Sequence, residues 1–161
     1  MDMSRRQFLS CLPAGAMITA MPRSAPAAPR LGCQTNAWPL KPGDFPAFLA
    51  VLREIKALGF EGFETSFRNV QGQYADPAPA RASLAASGLA FFGVHVFLPE
   101  YDPRTRVAPI DLVKATADGA AALGAQRVIL SGAGLVRDGS VGSADLALKV
   151  AGLHEAARSC R

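Results

Sequence analysis

The chain has 161 residues, of which 50% are hydrophobic and 19% charged, with a mean hydropathy of +0.18. That composition suits one domain with a substantial core and argues against a disordered chain. The formal charge of +4 falls to about +2 from Ala28 onward, where 14 Lys and Arg face 12 Asp and Glu, a surplus too small and scattered for a nucleic-acid footprint.

Residues 1–27 have the three parts of an export signal. A basic head, Ser4-Arg5-Arg6-Gln7-Phe8-Leu9, leads into a weakly apolar stretch over 8–21, and Ala25-Pro26-Ala27 offers a small-residue cleavage site. The paired arginines followed by Phe-Leu resemble the twin-arginine (Tat) signal of bacteria, which implies a periplasmic or otherwise exported protein. Phe8-Leu9-Ser10-Cys11 arrives too early in the apolar stretch to be a lipid-anchor site. No apolar run reaches the roughly 18 residues of a membrane span, so no membrane contact is expected once the signal is removed. Cys33 and Cys160 are the cysteines left after residue 27; 127 positions apart, they match no metal motif and no disulfide framework.

From residue 28 to 161 the chain reads as one domain of four strand–helix units. Residues 31–36 are a first strand. Asp44 then opens a helix whose apolar positions Phe45, Phe48, Leu49, Leu52, Ile55 and Leu58 recur at about helical spacing, closed by Gly59. Residues 60–65 form a second strand and 66–76 a polar loop. A second helix over 79–87 ends at Gly88, and 90–97 is the clearest strand in the chain. Loop 99–109 leads to an alanine-rich helix over 110–123 that stops at Gly124. Strand 127–131, loop 132–142 and a helix over 144–158 complete the pattern.

Strand starts at 31, 60, 90 and 127 lie 29, 30 and 37 residues apart. Such alternation calls for parallel strands with right-handed crossovers, in an open doubly wound sheet or in part of an eight-fold barrel. A nucleotide-binding open sheet carries a glycine-rich turn after its first strand, whereas here that turn is Asn36-Ala37-Trp38-Pro39. Ser131-Gly132-Ala133-Gly134 is a glycine turn without the third glycine or the Lys-Ser/Thr of a phosphate loop.

The phrase Leu58-Gly59-Phe60-Glu61-Gly62-Phe63-Glu64 resembles an element of the xylose-isomerase-like TIM-barrel family, which includes sugar-phosphate isomerases and epimerases. Gly32-Cys33-Gln34-Thr35-Asn36-Ala37-Trp38 is similar to that family's first strand and Gly93-Val94-His95-Val96 to its third. The phrase from Leu123 to Gly132 is similar to its fourth. The expected fold class is therefore α/β, a (βα)4 N-terminal half of a TIM barrel, since a whole barrel needs about 250 residues and eight strands. The resemblance implies a divalent metal whose identity (Mn, Mg, Zn or Co) the sequence does not separate. Its ligands belong to the later strands, so no metal residues are expected in this chain.

In such barrels the working residues stand at the C-terminal ends of the strands. Glu64 ends the second strand, and the resemblance gives it a role in proton transfer or in binding sugar hydroxyls; the bland alternative pairs it with Arg68. His95 lies in an otherwise apolar strand, where alternation puts Gly93, His95 and Phe97 on one face and Val94 and Val96 on the other. Its imidazole suits proton transfer near neutral pH, or else a core hydrogen bond to a carbonyl. Asn36 and Trp38 are candidate substrate-binding residues, Trp38 as an apolar wall for a sugar ring or, equally, as a loop anchor. Phe67 and Tyr101 are weaker candidates of that kind. His154 falls on a solvent-facing helix position.

The expected function is that of a truncated member of the sugar phosphate isomerase/epimerase family. In the complete protein it acts on a sugar or keto-sugar by metal-assisted proton transfer beside the carbonyl. A keto-sugar lyase or dehydratase uses the same parts. The alternative is an inactive half-barrel that binds carbohydrate or self-associates through its open edges. A small carbohydrate is the expected ligand and nucleic acid is not.

Overall fold

The computed structural model describes residues 28–135 and 140–160. The twin-arginine segment, 1–27, lies outside the described residues. Four strands alternate with four α-helices: β1 (Gly32–Gln34), α1 (Phe45–Ala57), β2 (Gly62–Ser66), α2 (Pro77–Ala86), β3 (Ala90–Val96), α3 (Ile110–Ala122), β4 (Val128–Leu130) and α4 (Ser143–Ser159). The pairings of these four strands with one another are parallel and the sheet order is β1-β2-β3-β4. A doubly wound sheet reverses its order at a switch point; this one does not, which leaves the barrel-type arrangement.

Local chemistry sets the helix ends. Asp44 caps α1 by accepting a hydrogen bond from the Ala47 N–H at 3.0 Å. Gly59, Gly88 and Gly124 close the first three helices at φ +89°, +67° and +95°, a region other residues enter at a cost. The helix starting at Pro77 begins two residues earlier than the expected 79, because proline is well tolerated in a first turn whose N–H groups have no partner within the helix. Leu58 also departs from expectation. It caps α1 rather than extending its apolar face, and it is 67% exposed. Within the loop between β2 and α2, short 3-10 turns form at Phe67–Asn69 and Gln71–Gln73.

The core lies between one face of the sheet and the helices. Phe48, Leu52 and Ile55 of α1 meet Phe63 of β2, which stacks on Phe91 of β3 with ring centroids 4.5 Å apart. One irregularity organises this packing. Phe63 pairs with Phe91 but Glu64 pairs with Gly93, so Phe92 is an extra residue, a β-bulge. Strict alternation would send Phe91 to the same face as His95. The bulge instead turns Phe91 into the helix-side core and carries the Phe92 ring over Gly32 and Gly62 on the other face. A Cβ on Gly62 would fall 2.6 Å from that ring and 2.7 Å from the Ala90 carbonyl oxygen.

Tyr74 lies against Gly119 of α3, so closely that a Cβ there would overlap its ring. Its hydroxyl is buried with no hydrogen-bond partner among the described residues, and burial pushes its pKa from 10.0 up to about 12. Tyr74→Phe is expected to be neutral or stabilising by up to about 1 kcal/mol at neutral pH, since an unpartnered buried donor is removed. The folded state holds the phenolic proton more tightly than the unfolded chain does. Wild-type stability therefore falls relative to the variant as pH rises from 10.0 through about 12. Urea unfolding of both proteins across that interval checks the sign; a constant difference would contradict it.

Candidate functional site

On the face away from the helices, polar side chains stand at or just beyond the C-terminal ends of all four strands. Gln34 of β1 donates from its amide nitrogen to Glu64 Oε1 of β2 at 2.7 Å. The same nitrogen lies 3.5 Å from His95 Nδ1 of β3, and Glu64 Oε1 lies 3.8 Å from that ring nitrogen. On the far side of the ring, His95 Nε2 is 2.5 Å from the hydroxyl oxygen of Ser131, the residue following β4 by one position. Register explains the diagonal course of this row. Gln34 pairs directly with Glu64, Glu64 pairs with Gly93 two residues before His95, and His95 pairs with Ile129 two residues before Ser131.

The row gives the imidazole a partner on each nitrogen. If the serine hydroxyl donates to Nε2, the proton on Nδ1 faces the Glu64 carboxylate. If Nε2–H donates to Ser131, Nδ1 is an acceptor toward Gln34. A proton can thus reside on either side of the ring with a neighbouring group to receive it. The side chains of His95 and Glu64 are 20% and 29% exposed, so both are accessible to a small molecule.

Beside this row lies a cleft of about 410 Å³ lined by Asn36, Ser66, Arg68, His95, Phe97 and Ser131. That volume is within the range of small-molecule sites. Phe97, 58% exposed, is its large apolar wall. The loop that follows is braced by Asp102, whose carboxylate accepts from the Thr105 N–H at 2.7 Å, the Thr105 hydroxyl at 2.9 Å and the Arg104 N–H at 3.0 Å. These bonds, led by those from Thr105, hold the Asp102 carboxyl below the usual range.

Of the candidates named from the sequence, the structure brings Glu64, His95 and Asn36 to this mouth. It places Trp38 elsewhere: the indole N–H donates to Glu54 of α1 at 2.8 Å, and the ring packs against the core as a loop anchor. Phe67 is buried in the core, and the Tyr101 hydroxyl accepts from the Leu98 N–H within its own loop. His154 is exposed on α4. The bland pairing of Glu64 with Arg68 does not form, since Glu64 turns to Gln34 and His95 instead. Gln34, Ser131 and the lining role of Arg68 were not singled out from the sequence. The available signal was position alone: each stands at, or just beyond, the end of a strand.

Among the described residues, no three or more His, Cys, Asp or Glu side chains converge. Glu64 and His95 alone do not make a divalent-cation site, and one would need ligands from outside these residues. Among the described residues no helix is long and apolar enough to cross a membrane.

No family model and no curated protein matches the chain. A solved structure does, the apo form of the 3-keto-D-glucoside 4-epimerase YcjR from E. coli, with a TM-score of 0.57 and 16% identity. The match covers 82% of this chain and 53% of that one.

The fold is half of a TIM barrel.

The half-barrel spans about half the length of the solved structure that it resembles, and its row of polar side chains occupies the end where such barrels carry their sites. Trp38 is the single tryptophan in the sequence and lies outside the cleft lining. Its fluorescence is therefore expected to change little when a small ligand fills the cleft, because the indole has no ligand contact there. Strong quenching on saturation would place the ligand against Trp38 instead.

Proposed function

We propose that this chain is part of a sugar isomerase or epimerase that moves a proton at the carbon beside the carbonyl of a sugar or keto-sugar. The observation that carries the reading is the row Gln34–Glu64–His95–Ser131 beside the cleft, on a fold shared with a 3-keto-D-glucoside 4-epimerase. Inverting a carbon beside a carbonyl requires removal of its proton and return of a proton to the opposite face. Glu64 and His95 are supporting acid–base groups for that transfer, and Gln34 and Ser131 position them. Asn36 hydrogen-bonds a sugar hydroxyl, and Phe97 offers an apolar surface to the ring. The resemblance read from the sequence adds a divalent cation held by residues beyond this half, and export by the twin-arginine route to the periplasm.

The test is solvent exchange. With a 3-keto-glucoside and a divalent cation in D2O, the complete protein that contains this chain is expected to speed deuterium entry beside the carbonyl, followed by proton NMR. Glu64→Gln and His95→Asn should each slow that entry by about 100-fold, as for loss of a general acid or base. Exchange no faster than in buffer, with no binding of the sugar, overturns the reading.

A second reading is favoured by one surface. Leu146, Val150 and Leu153 recur at helical spacing on α4 and are 49%, 40% and 37% exposed, while Leu31 beside edge strand β1 is 66% exposed. In this reading a second copy of the half-barrel closes against those edges, uniting β4 of one copy with β1 of the other. Sedimentation of the chain from residue 28 should then give a dimer, and replacing Leu146 and Leu153 by Lys should give a monomer. A wild-type chain that sediments as a folded monomer overturns it.

A further inference from the structure

Arg68 stands on the turn directly after β2, at the same mouth as Glu64 and His95. Spacing offers it Glu64 as an ion-pair partner four residues back, yet Glu64 is engaged by Gln34 and His95. Among the described residues no carboxylate lies within ion-pair reach of Arg68, and none of its side-chain N–H groups has a protein acceptor. Its guanidinium lies over the Phe67 ring, 5.5 Å from centre to centroid, and Phe67 is itself 4% exposed and fixed in the core. Such a cation–π contact holds the guanidinium by electrostatic attraction to the ring face and uses none of its N–H donors in a conventional hydrogen bond. Of the six residues that line the cleft, Arg68 alone carries a permanent charge. The other polar lining groups, Asn36, Ser66, His95 and Ser131, suit hydroxyls.

Building on the sugar reading of this cleft, we propose that the ligand carries an anionic oxyacid group, phosphate or carboxylate, which Arg68 binds through two parallel N–H bonds. The guanidinium fork matches either group, and a charge-assisted pair of this kind distinguishes an anionic sugar from its neutral parent.

Calorimetric titration of the full chain with glucose, glucose 6-phosphate, glucuronate and inorganic phosphate tests this. One of the anionic sugars is expected to bind at least about tenfold more tightly than glucose, as for a charge-assisted bidentate contact. Which one does so identifies the group as phosphate or carboxylate. In Arg68→Gln the ratio should fall to about one, and in Arg68→Lys it should lie between the two, because the charge remains without the fork. Added NaCl should lower the wild-type ratio, which gives a readout that needs no variant if Arg68→Gln does not fold. A wild-type ratio near one, or a ratio that survives in Arg68→Gln, overturns the proposal. Glucose binding without any anionic preference would do so while the sugar reading stands. Inorganic phosphate binding that depends on Arg68, with no sugar bound, would support the anion site and overturn the sugar reading.

Discussion

The pairing of β2 with β3 is the constraint from which the rest of the site follows. Phe63 must face Phe91 for the aromatic core under α1 to close, and Glu64 must stand beside His95 for the polar row to exist. A continuous two-residue alternation cannot meet both demands, because Phe91 and His95 would then share a face. The extra residue at Phe92 changes the parity between them. A one-residue slip beyond the bulge would turn His95 into the core and bring Val94 or Val96, both fully buried here, to the mouth. The bulge has its own requirement: the Phe92 ring needs room, and Gly32 and Gly62 supply it on the two neighbouring strands.

The same sheet is well covered on one face and open at its ends. Helices lie over the side that holds Phe63, Phe91, Val94 and Val96, and that core contains most of the large apolar side chains. The edges are different. β1 and β4 are three-residue strands at the margins of the sheet, and α4 presents an apolar stripe beyond β4. The open strand edges have a simple physical origin. A closed barrel removes strand edges by pairing its last strand with its first, and four strands cannot curve far enough to do so.

Charge at the mouth is arranged by what each group does not contact. Glu64 has a neutral amide and an imidazole as neighbours in place of a guanidinium. That leaves Arg68 over an aromatic ring with no carboxylate partner among the described residues, lining the same small cleft as His95. The loops on either side are held by their own short hydrogen bonds: Asn69 and Thr35 both meet the Thr65 hydroxyl beneath the turn after β2, and Asp102 gathers three donors in the loop after β3. Rigid loops on strand ends are what give such a site a defined geometry.

The sequence by itself determined the alternation of four strands and four helices, the glycines that end the first three helices, and the half-barrel class. The first two follow from periodicity and from backbone preferences local to a few residues, and the third from the resemblance of four short phrases to a TIM-barrel family. It also pointed to Glu64 and His95, because a polar residue at the end of an apolar strand is conspicuous. What only the tertiary structure decided were relations across 16 to 61 residues of chain: Trp38 held by Glu54, Glu64 by Gln34 in place of Arg68, and the His95 ring set between Gln34 and Ser131. Gln34 and Ser131 carry only the signal of standing at a strand end, and the bulge at Phe92 is invisible to any count that assumes strict alternation. Those features arise from strand register, which is set by the packing of rings and glycines on neighbouring strands rather than by any one segment's own preference.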